Sequence, residues 1–485
     1  MKRLILRVSG GARAVSSTVL LVLEVAPEEW ARREFGGAAL GDRRRTSRLV
    51  TFARQLFADA RASIPMATRT WADARAAYRL MSNAAISHDA VLAPHSAATA
   101  QRCGGRRRLA VVQDTTHCSF DGRVGREDLG PVDTTGQTDG FMCHTALVAD
   151  LETGEPLGVL AQRVWARSQT AHSRDETNED RRQRARESDK WVEVAEQVAT
   201  ALRDCPAEIV EVFDREGDYF DAIECLDRLG HNFVIRAARD RRLWADDDEP
   251  DYVSGAAAMG RLVGTYTFLV PARSTRPARE ATIEVRVADV FIEPPKSRAR
   301  EGAPQQVGLV YACERTPPEG AKGVRWLLLT RLPHGTLNDA RAVVEIYLRR
   351  WIIEDFHLAV KTGCALEARE LRSFRGLTNF LAVCTPIAME MLRLRYLTRT
   401  TPVLSAREVL SEERIAALRI LDPRVPEEPT VRQALHAIAG CGGFLQRKRD
   451  GEPGFRRLWV GWTKVLAAEQ VYTATVKQER RRRRK

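Results

Sequence analysis

The sequence lacks several patterns that identify common classes of protein. Its nine cysteines are odd in number and form no C-x-x-C pair, which argues against a disulfide framework or a zinc ribbon. Neither a P-loop nor an H-E-x-x-H motif occurs, so nucleotide hydrolysis and zinc peptidase activity are not indicated. No apolar stretch approaches the roughly 20 residues that span a bilayer. These absences favour a cytoplasmic protein with reduced thiols.

Length and charge narrow the class further. The chain has 485 residues and is 44% hydrophobic, enough for packed cores in roughly two to four domains. Lys and Arg number 76 against 64 Asp and Glu, a net charge of +12. The all-basic segment Arg480–Lys485 carries half of that net charge. Such a balance favours a polyanionic partner, nucleic acid first and an anionic membrane surface second.

Two segments suggest alternatives that we consider weaker. The pairs His117-Cys118 and Cys143-His144 could be drawn as a zinc site, but their spacing fits no standard structural site. Small buried thiols are the better interpretation. The first residues mimic a weak signal peptide, but glycines and an arginine interrupt the apolar run. We therefore expect a disordered leader over residues 1–26.

Residues 27–95 are predicted to form a helical domain rich in arginine. Asp42 is placed to cap a helix whose first turns carry Arg44, Arg45 and Arg48 on nearly one face. Such a face suits contacts to DNA phosphates. Charge alone fits an ordinary solvated surface equally well.

An α/β region is predicted over residues 105–365. The apolar run 109–113 ends at Asp114, and the run 209–213 ends at Asp214. Each run predicts a buried strand that stops at a carboxylate.

The second half of the chain changes character twice. Residues 237–325 combine Pro, Gly and β-branched alternation, which predicts a β-rich insertion with hairpins. Residues 366–475 are predicted to be mainly helical, with breaks at Pro386, at Pro402 and over 423–429. The remaining segment, 476–485, is a basic tail that we expect to bind DNA nonspecifically or to be disordered.

A long helix is predicted from the Thr336 and Asp339 capping pair to about Lys361. Opposite its apolar face, four polar residues share an arc of about 60° on a helical wheel, with His357 beside them. The four are Tyr347, Arg350, Glu354 and Lys361. By itself this stripe fits a plain amphipathic surface helix.

Together with the two strands, the helix suggests a metal site. Asp114, Asp214 and Glu354 can meet at the edge of one sheet, and carboxylate oxygens of this kind hold Mg²⁺ or Mn²⁺. Two such ions about 4 Å apart can activate a water and stabilise the leaving oxygen of a phosphodiester. The ions would also relieve the repulsion among the carboxylates.

The motifs resemble those of bacterial DDE transposases of the IS-four insertion-sequence family, in its Tn-five branch. The resemblance rests on V-V-Q-D-T-T around Asp114, F-D-R-E-G-D around Asp214 and Y-x2-R-x3-E-x6-K over 347–361. The segment A-A-L-G-D ending at Asp42 resembles that family's end-binding helix. The segments G-G-F, K-R and L-W-x-G-W after residue 441 resemble its dimerisation region. The similarity covers roughly residues 28–475.

The resemblance implies an α/β fold with an RNase H-like catalytic core and a β-rich insertion. An N-terminal helical DNA-binding domain and a C-terminal helical dimerisation domain would flank this core. The catalytic metal ligands would be Asp114, Asp214 and Glu354, holding two Mg²⁺ or Mn²⁺ ions. The implied DNA contacts are Arg44, Arg45, Arg48, Arg236, Trp326, Tyr347, Arg350 and Lys361.

Within the implied contacts, Tyr347 and Arg350 would hold a phosphate near the cut, for which a planar guanidinium is well suited. Trp326 would stack on a flipped base at the hairpin stage. Core packing is the alternative for this tryptophan. Glu216 and Asp218 are additional carboxylates that could act as ligands or as supporting groups. The acidic patch at 246–251 has no assigned role.

The implied function is that of an insertion-sequence DNA transposase in the bacterial cytoplasm, associated with the nucleoid. It would bind terminal inverted repeats and catalyse Mg-dependent phosphodiester hydrolysis, hairpin formation and resolution, and strand transfer. Its partners would be double-stranded transposon-end and target DNA, and a second copy in a homodimeric synaptic complex. The alternatives are a catalytically silent, transposase-derived DNA-binding regulator and a general metal nuclease.

Overall fold

The computed structural model describes residues 26–68, 70–120, 128–133, 137–168, 187–244, 252–270, 277–295, 302–447 and 451–483. The predictions for the leader before residue 26 and for the acidic patch at 246–251 lie outside the described residues. So does the K-R pair at 448–449.

The N-terminal region is helical, as predicted. Its helices are α1 (Pro27–Phe35), α2 (Arg43–Ala58), α3 (Ile64–Thr68), α4 (Trp71–Met81) and α5 (His88–Cys103). Asp42 caps α2, because its carboxylate accepts a hydrogen bond from the Arg44 backbone N–H at 2.8 Å. Trp30 stacks on Phe57 at 4.2 Å between ring centroids and ties α1 to α2.

A single mixed sheet occupies the centre of the molecule. Its strands are β1 (Arg108–Ser119), β2 (Gly130–Pro131), β3 (Asp139–Asp150), β4 (Pro156–Trp165), β5 (Glu208–Phe213), β6 (Asn232–Arg236), β7 (Leu243–Trp244), β8 (Arg261–Val270), β9 (Arg279–Ile292), β10 (Gln305–Glu314) and β11 (Arg325–Thr330). The order is β2-β3-β1-β5-β6-β11-β10-β9-β7, while β4 also pairs with β3 and β8 with β9. β1, β5 and β6 are parallel, and the other pairings are antiparallel.

Helices cover both faces of the sheet. α6 (Lys190–Ala201) leads into β5, and α7 (Phe220–Leu229) connects β5 to β6. Alternate residues of β1 point to opposite sides, as the period of two requires. Leu109 and Val111 pack in the core with α6, whereas Ala110 and Val112 belong to the core on the other face.

β1 differs from the prediction that it stops at Asp114. It continues to Ser119, because β3 pairs with it antiparallel along its whole length, up to Ser119 opposite Gly140. β5 does end just before Asp214, as predicted. The β-rich insertion contains β7 to β10 and, in addition, the short helix α8 (Val253–Met259). Its strands extend the central sheet through the pairing of β10 with β11.

The predicted helix from Thr336 to Lys361 is divided. The capping box of Thr336 and Asp339 is present and starts α9 (Leu337–Leu348), but a separate α10 (Trp351–Leu358) follows. Between them the backbone hydrogen bonds span three residues instead of four, as where the Arg350 N–H donates to the Tyr347 carbonyl at 3.0 Å. A single π-turn, Ala359–Gly363, then carries Lys361.

The C-terminal region is built from α11 (Phe374–Thr400), α12 (Glu412–Leu421), α13 (Val431–Cys441) and α14 (Phe455–Arg483). The breaks expected at Pro402 and over 423–429 are present, but the break at Pro386 is wrong. α11 continues through this proline because every residue from 376 to 395 is buried. Burial on that scale outweighs a cost of about 3 kcal/mol for an interior proline. The backbone of the predicted tail is also helical as far as Arg483.

α11 is also the one described helix that is long and apolar enough to cross a membrane, which the search for apolar runs did not predict. Its apolar window is entirely buried inside the protein. It packs against α5 and β4, so its apolar surface is accounted for by the core.

Candidate active site

Asp114 on β1 lies close to Asp214, which directly follows the neighbouring parallel strand β5. Val112 of β1 is paired with Val212 of β5, and each aspartate follows two residues later, on the same face as these valines. Asp214 starts the turn after β5, where its carboxylate accepts a hydrogen bond from the Glu216 backbone N–H at 2.7 Å. The register of the sheet therefore brings the two carboxylates together.

Arg350 connects Glu354 to this pair. Its Nη1 lies 3.2 Å from Asp114 Oδ2, and its Nη2 lies 2.8 Å from Glu354 Oε1. The guanidinium is 11% exposed and the Asp114 side chain 15%, so this contact is largely shielded from water. The residues at the α9–α10 junction thus reach a strand more than 200 positions away in the chain.

The pKa of Asp114 also indicates that the acidic side chains lie close together. Burial raises the pKa of Asp114 to about 7, and repulsion from Asp214 and, more weakly, Glu354 acts in the same direction. Arg350 and the Thr115 backbone N–H lower this pKa, but they do not compensate fully. The cluster has more negative than positive groups.

The donor chemistry of this cluster fits a divalent metal, since Asp114, Asp214 and Glu354 supply the oxygen ligands that Mg²⁺ prefers. Among the residues that the structure describes, however, no three metal-ligating side chains are close enough to hold one ion. The Arg350 guanidinium lies between Asp114 and Glu354 and pairs with both.

Tyr347 does not lie on a solvated helix face, as a plain amphipathic surface helix would require. Its side chain is buried near the end of α9. The Arg236 guanidinium lies 5.9 Å from its ring centroid. Arg236 also donates a hydrogen bond to the Arg325 carbonyl at 3.3 Å. This predicted DNA contact therefore already lies close to Tyr347 and Arg325.

Lys361 is held close to the end of β1 by a residue that no motif contains. Its Nζ lies 3.5 Å from Glu367 Oε1. The same oxygen accepts hydrogen bonds from the backbone N–H and the hydroxyl of Ser119. Glu367 therefore holds this predicted DNA-backbone contact at the Ser119 end of β1, five residues along the strand from Asp114.

The two tryptophans near the site differ in exposure. Trp326, the predicted base-stacking residue, is 9% exposed and packs edge-to-face on Phe268 at 5.1 Å between ring centroids. Trp351, which the sequence analysis did not single out, is 39% exposed with the Arg350 guanidinium 5.3 Å from its ring centroid. Trp326 would have to leave its pocket before it could stack on a base.

The N-terminal arginines are only partly available for DNA. Arg44 is exposed at the start of α2. Arg45 donates to the Leu40 carbonyl at 2.9 Å, and Arg48 pairs with Asp73 at 2.7 Å. Two of the three predicted contacts thus also stabilise the helical region.

A buried polar chain lies on the face of β1 opposite Asp114. His144 contacts the Thr115 hydroxyl and the Gln113 side-chain carbonyl, each at 2.9 Å, and Gln113 donates to Glu211 at 3.1 Å. Burial holds the pKa of His144 well below its ordinary value, so this histidine is neutral. Because both of its ring nitrogens are used, the zinc alternative at Cys143-His144 does not hold, and the predicted buried thiols are present.

Two segments of the chain match known protein families. Residues 27–86, which contain α1 to α4, match the family described as transposase DNA-binding. Residues 386–478, from the middle of α11 to most of α14, match the transposase Tn5 dimerisation domain. The carboxylate cluster, on β1, in the turn after β5 and on α10, lies in the part of the chain between these two segments. In its DNA-binding and dimerisation regions alike, the chain resembles the Tn5 transposase.

Proposed function

We propose that the protein is a DDE transposase that binds the terminal inverted repeats of an insertion sequence. It would nick the DNA, form and resolve a hairpin, and transfer the freed ends to target DNA. The observation that carries this proposal is the cluster of Asp114, Asp214 and Glu354 at the central sheet, in the part of the chain between two transposase-like regions. Cytoplasmic DNA would be its site of action.

We assign residues 105–365 to an RNase H-like core, with residues 27–95 as the end-binding domain and 366–475 as the dimerisation domain. The strand order β4-β3-β1-β5-β6 supports this assignment, since three antiparallel strands are followed by two that run parallel to β1. The insertion, 237–325, leaves the core after β6 and returns at β11.

The three carboxylates would hold Mg²⁺ or Mn²⁺. When bound, a pair of such ions supplies an activated water and stabilises the leaving oxygen of a phosphodiester. Arg350 neutralises part of the carboxylate charge in this structure. A DNA phosphate is a competing partner for its planar fork of donors. Phosphate binding by Arg350 would free Asp114 and Glu354 at the moment the DNA arrives.

The remaining predicted DNA contacts divide between the transposon end and the site of the cut. Arg44, Arg45 and Arg48 would bind phosphates at the transposon end, while Arg236, Tyr347 and Lys361 would contact the DNA close to the cut. Trp326 would stack on a flipped base after leaving Phe268. The C-terminal helices would join two copies in the synaptic complex.

A second candidate, a catalytically silent DNA-binding regulator, is favoured by one observation. Arg350 already occupies Asp114 and Glu354, and if it never releases them the protein would bind ends without cutting. A DNA cleavage assay distinguishes the two functions.

The test uses the full chain, Mg²⁺ and DNA carrying the inverted repeats that flank the gene. We expect release of the excised fragment, and a loss of about three orders of magnitude or more in Asp114→Asn and Glu354→Gln. Glu345→Gln is the matched control, because Glu345 is an exposed carboxylate on α9 that pairs only with Arg341 among the contacts described. Binding without cutting would identify the regulator. Equal cutting by Glu354→Gln would show that the site is wrongly assigned.

A further inference from the structure

Asp218 forms a completely buried clamp next to the candidate active site. Its Oδ2 accepts hydrogen bonds from the Ala238 and Arg239 backbone N–H groups at 2.8 and 2.9 Å. Its Oδ1 accepts from Arg241 Nε at 2.8 Å, and Arg241 also donates to the Asp218 carbonyl. The side chain has no solvent exposure.

The clamp joins two segments that the proposed chemistry requires. On one side is the turn from Asp214 to Asp218, and on the other is the segment that follows β6 and begins at Arg236. The turn packs closely on β5, because a Cβ at Gly217 would lie 2.6 Å from the Phe213 Cβ. Movement between the segments is therefore restricted by Asp218.

A carboxylate is the side chain that suits this position. The two backbone N–H groups and the Arg241 guanidinium all donate, and an ionised aspartate accepts all three without a proton of its own. Hydrogen bonds to a charged acceptor are roughly twice as strong as neutral ones. A residue without an acceptor would leave the Ala238 and Arg239 N–H groups and the Arg241 guanidinium without this partner.

We infer that Asp218 is a positioning residue for the carboxylate site. Through Ala238, Arg239 and Arg241 it ties the segment just after Arg236 to the turn that begins at Asp214. Both of its oxygens are engaged by the loop, so it is not a metal ligand in this arrangement. This inference rests on the proposed function, and it resolves the ambiguity between a ligand and a supporting group that the sequence leaves for this aspartate.

The chain contains a clamp of the same construction away from the site. Asp150 accepts from the Glu152 and Thr153 backbone N–H groups at 2.6 and 3.0 Å and from Arg106 Nη1 at 2.8 Å. It lies at the end of β3 opposite Leu109, whereas Asp114 lies opposite Thr145. Five residues of strand separate the two positions, about 17 Å.

The experiment compares Asp218→Ala, Asp218→Asn and Asp150→Ala in the full-length protein. End cleavage is measured at saturating DNA with Mg²⁺, together with the melting temperature of each variant. We expect Asp218→Ala to cut about 10²-fold more slowly, the scale of a 1 Å misplacement. Asp218→Asn keeps an oxygen for the two backbone N–H groups, so cleavage should return to within about tenfold of the parent. Asp150→Ala should melt earlier but cut normally.

Several results would overturn the inference. Equal inactivity of the Asn and Ala variants, with Asp150→Ala active, would indicate a ligand or charge role for Asp218. Parallel losses of cleavage and melting temperature in Asp218→Ala and Asp150→Ala would indicate a purely structural role. Normal cutting by Asp218→Ala would remove any role. If Asp218→Ala does not fold, an inactive but folded Asp218→Asn would also contradict the inference. Failure of the parent protein to cut would instead contradict the proposed function.

Discussion

Two buried charge clusters in this protein are built on opposite principles. The active-site cluster consists of Asp114, Asp214, Arg350 and Glu354. The joint cluster connects α1 and α5 to α11 and consists of Glu34, His95, Arg102, Glu390 and Arg393. The first has an excess of carboxylates and is partly open, whereas the second is balanced and closed.

In the joint cluster each carboxylate has an arginine partner, although burial still raises the pKa of Glu390. Glu34 accepts from His95 Nδ1 at 2.5 Å and from Arg102 at 3.0 Å, while Glu390 pairs with Arg393 at 2.6 Å. Burial alone would raise the pKa of Glu34, but Arg102 and His95 outweigh burial and hold this pKa well below its ordinary value. Burial lowers the pKa of His95, which Glu34 opposes only in part, so the histidine is neutral.

The difference separates a structural role from a functional one. A buried charge without compensation costs stability, and a fold keeps such a charge only when something else requires it. In the active-site cluster the uncompensated group is Asp114, whose raised pKa records the cost. In the joint cluster the paired charges instead attach the N-terminal helices to the core.

The largest expected effect on the free energy of unfolding comes from a substitution that breaks the joint cluster. Glu34→Ala should lower the free energy of unfolding by about 3–5 kcal/mol, because it leaves Arg102 buried without its carboxylate. Denaturant unfolding measures this loss. Glu28→Ala is the control on the same helix, since its pair with Arg32 is exposed and worth at most about 1 kcal/mol. Similar losses in the two variants would refute the contrast between the clusters.

A smaller effect of opposite sign is expected at Asp114. In the presence of a metal chelator, Asp114→Asn should raise the free energy of unfolding by about 1–4 kcal/mol at pH 8 and have little effect near pH 4. The folded protein keeps the Asp114 proton up to about pH 7, whereas the unfolded chain loses it near pH 4. The contribution of this group to stability therefore falls as the pH rises between those values.

Unfolding free energies measured across that pH range test the sign. Glu345→Gln should follow the parent curve at every pH. Glu34 should behave oppositely to Asp114, since a lowered pKa gives stability that is present above pH 4.5 and lost as the pH falls through its folded pKa. A destabilised Asp114→Asn at pH 8 would mean that Arg350 compensates Asp114 fully.

The smallest effect on stability is expected outside both clusters. Deleting residues 479–485 should change the free energy of unfolding by less than about 0.5 kcal/mol. It should weaken DNA binding and reduce the slope of log affinity against log salt by about 0.9 for each DNA phosphate that the shortened protein no longer neutralises. Cleavage at saturating DNA should persist. Loss of that cleavage would show that this end of α14 contributes to the site.

Much of the local structure was predictable from short patterns. Asp42 and Thr336 cap the predicted helices, and β5 ends before Asp214. The resemblance to the Tn-five branch of transposases is confirmed in the DNA-binding and dimerisation regions. The metal ligands, the DNA contacts and the domain boundaries stay predictions.

Other features depended on neighbours that are distant in the chain. β1 runs past Asp114 because β3 continues beside it, and Pro386 stays within α11 because the helix is buried on all sides. A plain amphipathic surface helix would expose Tyr347, but its side chain is buried, and the helix is divided before α10. Glu367 was missed because it lies in no motif.

By itself, then, the sequence determined where helices and strands begin, which residue types stand at the candidate site, and the family they resemble. These properties depend on caps, periodicity and spacing over a few residues, each worth tenths of a kcal/mol to about 1 kcal/mol. Only the tertiary structure decided that Arg350 separates Asp114 from Glu354 and that Asp218 clamps the loop after β6. The Asp114–Arg350 and Asp218–Arg241 contacts join residues 236 and 23 positions apart, and the packing that brings them together is worth kilocalories that no local pattern records.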